Sequence, residues 1–372
     1  MIERLLQKNI ENRFKKGKVI VVLGPRQVGK TTLINQILKD EDYLFLNGDD
    51  VSVRDLLKSI NTQELKALVS NHKVVFIDEA QRIENIGLTA KIIADYFKDI
   101  QLILSGSSAF DIKNETNEPL TGRKWEYILL PISWQEFENN NNYLTATQQL
   151  QHRLVFGMYP DVINNLGDEQ EVLSNLSDSY LYKDILALYN IRKPEILGKL
   201  LKALAYQIGN EVSYNELAQT VGVDKNTISS YIDILEQSYI VYKLSSFSKN
   251  LRNEIKRNQK IYFYDLGIRN NIIGDFRPFS ERQDKGAIWE NFLITERLKS
   301  NLYSKNKVSS FFWRTTAQQE IDYIEEKHQE LSAFEFKWNK KQKVKIPKTF
   351  TKAYNVKVEV IDSSNFRNFV NS

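Results

Sequence analysis

A β-branched apolar run, Lys18 to Leu23 (KVIVVL), passes without a break into GPRQVGKT, Gly24 to Thr31. No other stretch restricts the possible folds so strongly. The run reads as a buried strand, the eight residues fit G-x-x-x-x-G-K-[ST], and Thr32 to Lys39 continues as a helix. Strand, glycine turn and helix in that order wrap successive backbone N–H groups around one phosphate. Gly24 and Gly29 supply conformations or close approaches that a Cβ hinders. The helix N-terminus adds roughly half a positive charge. The expected nucleotide-binding set is Gly24, Pro25, Arg26, Gln27, Val28, Gly29, Lys30, Thr31 and Thr32. Lys30 would reach the β- and γ-phosphates, and Thr31 would offer its hydroxyl to Mg²⁺.

A second acidic motif agrees. In VVFIDEAQ, Val74 to Gln81, four apolar residues bury a strand and Asp78 emerges at its carboxyl end. Open α/β sheets bind ligands there. Asp78 is expected to hold Mg²⁺ through water and Glu79 to polarise the attacking water. Taken alone, the motif also reads as a strand ending in an acidic helix cap. LILSGSS, Leu102 to Ser108, places small polar residues beside the γ-phosphate, with Ser107 the first choice as its sensor and Ser108 the alternative. Arg123, after Thr121-Gly122, is a candidate γ-phosphate contact in cis or from a neighbouring molecule; its other reading is a structural arginine.

Strand candidates at 43–46, 74–77 and 102–104 alternate with helical stretches at 53–70 and 86–98, which means βαβ units and a parallel sheet. Residues 2–16 carry one apolar helical stripe. The alternation stops near 135, and the run Asn139 to Asn142 is the strongest boundary signal in the first half of the chain. A helical middle follows, and strand-like runs return from 260. The chain of 372 residues is too long for one ordinary core. Its 51 Lys and Arg against 47 Asp and Glu give +4, so any basic surface must be local. With no Cys, thiolate zinc sites, iron–sulfur clusters and disulfides are excluded, and three scattered His form no visible metal cluster. No apolar run approaches bilayer length, and the charged N-terminal stretch has no signal-peptide core, so a cytoplasmic protein without membrane contact is expected.

GPRQVGKTTL, FIDEAQ, LSGSS, LTGR and ILLPISWQEF together resemble a widespread prokaryotic family of AAA-type ATPases with a C-terminal domain of unassigned role. The likeness continues at GMYPDV (Gly157 to Val162), YLYKDIL (Tyr180 to Leu186) and YFYDLG (Tyr262 to Gly267). It implies an ATPase with a helical connector, a winged-helix-like module and a nuclease-like terminal fold. It supplies no substrate. Related STAND-type ATPases act as switches, and the layout is similar to theirs.

Glu211 to Leu244 reads as helix, Gly222 turn, helix and strand, a helix-turn-helix of the winged type. Asp224 would cap the second helix, leaving Lys225, Asn226, Thr227, Ser229 and Ser230 near its start to meet phosphates or base edges; the other reading is a spacer that uses the fold without DNA. Further on, Asp322 lies in a short strand. LSAFEFKWNKK then alternates, with Phe334, Phe336 and Trp338 on one face and Glu335 and Lys337 on the other. A hairpin would bring Asp322 to Glu335 and Lys337. This acid–acid–Lys set is similar to that of PD-(D/E)xK nucleases, and the resemblance implies Glu290 as the helix acid, although Glu320-Ile321 stands where that pattern has Pro. Converging carboxylates suit a second Mg²⁺, while solvated charges flanking a strand are the alternative. Lys337 to Lys357 holds eight lysines and no acid, interleaved with Trp338, Phe350 and Tyr354, a candidate phosphate-binding face or a solvated one.

The expectation is α/β: a P-loop parallel-sheet ATPase domain at 1–135, a helical connector with a winged helix (211–244) at 136–245, and an α/β nuclease-like domain at 246–372. ATP and Mg²⁺ are the expected ligands, DNA a candidate partner through the winged-helix and C-terminal regions, and an oligomer is compatible. Three functions compete: a nucleotide switch on nucleic acid, an ATP-coupled metal-dependent nuclease, and a non-catalytic scaffold.

Overall fold

A computed structural model describes residues 2–107, 119–178, 193–248, 259–342 and 344–371. The chain folds as two compact units, one of Met1–Pro131 with Gln237–Tyr239, the other of Ile132–Glu236 with Ile240–Ser372.

In the first unit β1 (Val19–Leu23) has all five residues buried, as its unbroken apolar run requires. Around it come α1 (Leu6–Glu11), α2 (Lys30–Ile37), β2 (Tyr43–Asn47), α3 (Val51–Lys58), α4 (Thr62–Val69), β3 (Val74–Asp78), α5 (Ile86–Tyr96), β4 (Gln101–Gly106) and β5 (Lys124–Ile128). The sheet order is β2-β3-β4-β1-β5, and every pairing is parallel. The carboxyl ends of β1, β3 and β4 therefore lie side by side, which brings residues 24, 78 and 107 to one edge of the sheet. The stretch 53–70, expected as one helix, is two. Asn61 breaks it by capping α4, accepting from the backbone N–H of Gln63 and Glu64 while Glu64 reaches back to the Asn61 N–H. The edge strand β5 is absent from the sequence expectation, since KWEYI alternates polar and apolar residues instead of forming an apolar run.

The second unit begins with α6 (Trp134–Asn141), α7 (Tyr143–Phe156), α8 (Pro160–Asn164), α9 (Glu169–Leu176) and α10 (Pro194–Tyr206). It continues with β6 (Glu211–Val212), α11 (Tyr214–Val221), α12 (Lys225–Gln237), β7 (Val241–Ser246), β8 (Gln259–Phe263), α13 (Leu266–Ile273) and α14 (Lys285–Tyr303). Then come β9 (Ser309–Arg314), β10 (Glu320–Lys327), β11 (Glu330–Phe336), α15 (Lys348–Tyr354), β12 (Val358–Ile361) and α16 (Phe366–Val370). One sheet joins all seven strands in the order β12-β11-β10-β9-β7-β8-β6. The expected division at 245 falls inside this sheet, because β7 pairs in parallel with β9 through Ser245↔Phe311 and Ser246↔Phe312.

The asparagine run is a helix junction rather than a unit boundary. Asn142 has φ 71° and its side chain accepts from the Thr145 N–H at 3.0 Å, closing α6 and capping α7. The units part at Pro131 because Ile132 donates to the Met158 carbonyl and Trp134 to Glu296, both within the second unit. Two of the family-like motifs meet here. A Cβ on Gly157 would lie 2.2 Å from Asp265 Oδ1, and the Asp265 carboxylate accepts from Met158 N at 2.6 Å and Ile268 N at 3.1 Å. GMYPDV and YFYDLG are thus one architectural joint. YLYKDIL lies outside the described residues.

Candidate functional sites

Gly24 leaves β1 at φ 147°, and a Cβ there would sit 1.9 Å from the Leu129 carbonyl oxygen, so only glycine fits. Gly29, at φ 89°, opens α2. Pro25, Val28 and Lys30 are buried, Arg26 is half-buried, and Gln27 and Thr32 are exposed. Arg4, buried ahead of α1, donates to Val28 O at 2.7 Å and Leu130 O at 2.6 Å and so pins the loop from beneath. The Lys30 ammonium turns onto Gly24 O at 2.9 Å and Pro25 O at 2.8 Å. Burial pushes its pKa down to about 8, opposed by Glu79 and Asp78. Among the described residues this buried cation bonds only carbonyls of its own loop, which fits an anion there.

Thr31 Oγ1 donates to Asp78 Oδ2 at 2.6 Å, which joins the loop to the end of β3. Asp78 Oδ1 accepts from Ser105 Oγ, and from Glu79 N at 3.1 Å. Ser105, fully buried on β4, is a functional neighbour that the sequence reading missed; its position inside a strand motif hides it among core residues. Glu79 stands at φ 48°, and Gly48 makes room for it: a Cβ on Gly48 would meet Glu79 O at 2.4 Å. Gln81, also missed, donates to Glu79 Oε2 at 2.5 Å and to Ser107 Oγ at 2.9 Å. Arg26 Nη2 lies 3.8 Å from Glu79 Oε2. Ser107 thus joins the cluster, and Ser108 lies outside the described residues.

Arg123 does not join it. It precedes β5, its carbonyl accepts from Val19 N, and the register pairs Val19 with Lys124 and Leu23 with Ile128. Arg123 is therefore level with Lys18 at the amino end of the sheet, six residues or about 20 Å along the strand from Gly24 at the usual rise per residue. Its guanidinium pairs with Asp95 at 2.6 Å. The cis reading is corrected on this ground.

The second unit assembles the C-terminal constellation. The hairpin β10–β11 pairs Tyr323 with Phe334, so Asp322 faces Glu335 one rung further. Phe336 N donates to Asp322 Oδ2 at 2.7 Å, and Lys337 Nζ lies 2.7 Å from Glu335 and 3.9 Å from Asp322. Glu290 on α14 converges with them. Two members were not anticipated. Glu320 has an oxygen within 4.8 Å of those of Glu290 and Asp322. Lys260 on β8, 1% exposed at its side chain, bonds Glu290 Oε1 at 2.9 Å and also pairs with Glu320. Tyr262 donates to Glu290 Oε1 at 2.5 Å. Burial, reinforced by Glu290 and Glu335, holds the Asp322 carboxyl well above the usual carboxylate range.

The lysine-rich stretch has no stacking platform among the described residues. Trp338 packs 4.7 Å from Phe279 and 5.1 Å from Trp289, and Phe350 is fully buried 5.1 Å from Trp313. Tyr354 lies 5.3 Å from Phe247. Lys340, Lys341, Lys345, Lys348, Lys352 and Lys357 are exposed. At α12, Lys225, Asn226 and Ser230 are exposed, while Thr227 Oγ1 is committed to Asp224 at 2.6 Å.

Comparison with known proteins agrees with the first unit. Residues 16–138 match a family model described as an AAA domain. Residues 147–278 and 285–367 match two domains of unknown function (DUF8612 and DUF4143). An uncharacterized protein of Haemophilus influenzae is 27% identical over 361 residues, covering 88% of this chain and 84% of the relative. Uncharacterized protein MJ1544 of Methanocaldococcus jannaschii is 23% identical over 344 residues, covering 86% of this chain and 75% of the relative. The Walker-type ATPase paby2304 of Pyrococcus abyssi is similar in fold, with a TM-score of 0.50 at 13% identity over 73% of this chain and 96% of that one. The region around the loop is an AAA-type P-loop domain of ATPase fold. Among the described residues no helix is long and apolar enough to cross a membrane.

Proposed function

We propose that this protein is a Mg²⁺-dependent ATPase that works as a nucleotide switch on nucleic acid. The observation carrying the first part is the 2.6 Å bond from Thr31 to Asp78, which puts the loop hydroxyl and the strand-end carboxylate on one point beside Lys30. Those two residues would hold Mg²⁺, whose charge neutralises the β- and γ-phosphate oxygens when bound. Lys30 leaves its loop carbonyls for the phosphates. Glu79 orients the attacking water and accepts its proton, and Gln81 ties Glu79 to Ser107 beside the γ-phosphate. In the full chain, Glu79→Gln is expected to lower turnover by about 10²-fold or more while ATP still binds. Unchanged hydrolysis rejects that role. Lys30→Ala is expected to weaken ATP binding, and equal affinity counts against the loop assignment.

The second part is supported by topology. The chain order β6, α11, α12, β7, β8 with the sheet order β6–β8–β7 supports a winged-helix reading, and the start of α12 presents Lys225, Asn226 and Ser230. Among the described residues, six exposed lysines between 340 and 357 add phosphate-seeking charge. Duplex DNA binding by the full chain is expected to weaken linearly in log K against log salt, about one unit of slope per phosphate neutralised. A flat titration removes nucleic acid as the partner. The Arg123 contact stays open in trans only, from a second molecule.

A further inference from the structure

The C-terminal acids converge as a metal site would require, yet a lysine stands among them. Glu290, Glu320 and Asp322 bring their oxygens within 4.8 Å of one another. The Lys260 ammonium bonds the first two directly and is nearly sealed from solvent. It enters from β8, a strand belonging to the winged-helix portion, and so comes from outside the α14–β10–β11 frame that carries the acids. The charge count is close to balanced. Five acids, Glu211, Glu290, Glu320, Asp322 and Glu335, face Lys260, Lys337 and Arg314, the last 3.4 Å from Glu320 and 4.0 Å from Glu211. Burial keeps Asp322 protonated well above the usual carboxylate range, which leaves four charged carboxylates against three cations. A divalent cation entering this set would bring two more charges into a nearly neutral interior. It would also strip Lys260 of its partners in a place where water cannot replace them. Glu335 Oε2, buried without a hydrogen bond, is the atom that asks for a further ligand. One water satisfies it.

We propose that Lys260 fills the place of the divalent cation, so that this centre is a self-neutralised ion network and not a metal-dependent nuclease site. The residues present do not fit a metal while that ammonium is there. The network fastens β8 to α14 and β10, and through them the winged-helix strands to the C-terminal region. It shares no residue with the ATPase site, which belongs to the other unit.

The test is a Mn²⁺ titration of the nucleotide-free full chain, read by electron paramagnetic resonance. Wild type is expected to take up no ion that Asp322→Asn removes, up to about millimolar Mn²⁺. Lys260→Met is expected to gain one ion, lost again when Asp322→Asn is added. Lys260→Met/Glu320→Gln keeps the charge count and serves if the single variant does not fold; it is expected to gain the same ion. An Asp322-dependent ion in wild type overturns the proposal. So does a folded lysine variant that gains none, because the acids then could not have held a cation for Lys260 to replace.

Discussion

At the scale of single residues the nucleotide site turns on Lys30. Its motif position was legible in GPRQVGKT; its buried ammonium and its hold on Gly24 O and Pro25 O were not, because they depend on how the loop folds back. A pKa lowered to about 8 has a consequence for binding. Below that pH the ammonium is charged and ready for the triphosphate. Above it, binding must take up a proton, so affinity falls as pH rises through 8. ATP affinity measured by calorimetry is expected to be flat over roughly pH 6 to 7.5 and then to weaken by up to about tenfold per unit. Lys30→Ala should flatten the profile, and a bend that survives assigns it to another group. Ser105 and Gln81 belong to the same scale. Neither stands in a motif position with an obvious role, and each becomes functional through a neighbour, Asp78 for one and Glu79 for the other.

Among elements, the β10–β11 hairpin shows what alternation reveals and what it hides. Period two put Glu335 and Lys337 on one face, and the register then set Asp322 opposite Glu335. Lys260 was illegible because it lies on a strand distant in sequence from the hairpin. The two buried groups predict opposite outcomes. Asp322 is held above its ordinary pKa by burial, so the stability linked to it is greatest in acid and is lost as pH rises through the folded value. Asp322→Asn should therefore cost less than about 1 kcal/mol near neutral pH, or stabilise, and should reduce the loss on going alkaline. Lys260→Met leaves the half-buried Glu290 without its cation and Glu320 with Arg314 alone, and should cost about 3 kcal/mol, the low end for a broken buried pair. Urea unfolding midpoints across pH distinguish them, and equal costs would contradict this account of the network.

For the whole molecule, the shared sheet governs how the chain can be divided. Three regions read from composition become two units, since β9 needs β7 as its neighbour and β8 lies between β7 and β6. Fragments 1–245 and 246–372 made separately are expected to be insoluble or unfolded by circular dichroism, each with exposed strand edges. Co-expression should recover soluble material. A folded, monomeric 246–372 would show that the seven-stranded sheet is not a single cooperative piece.

The sequence by itself determined the phosphate loop, the acidic strand end and the parallel α/β class, because each is a local pattern whose backbone conformation follows from a few neighbouring residues. It also placed most strands of the second unit, whose apolar runs are plain. Only the tertiary structure decided which strands share a sheet, that Arg123 lies at the far end of its own, and that Lys260 stands among the C-terminal acids. Those outcomes depend on register and on contacts between distant segments, where burial and charge act across space and leave no spacing in the chain to read.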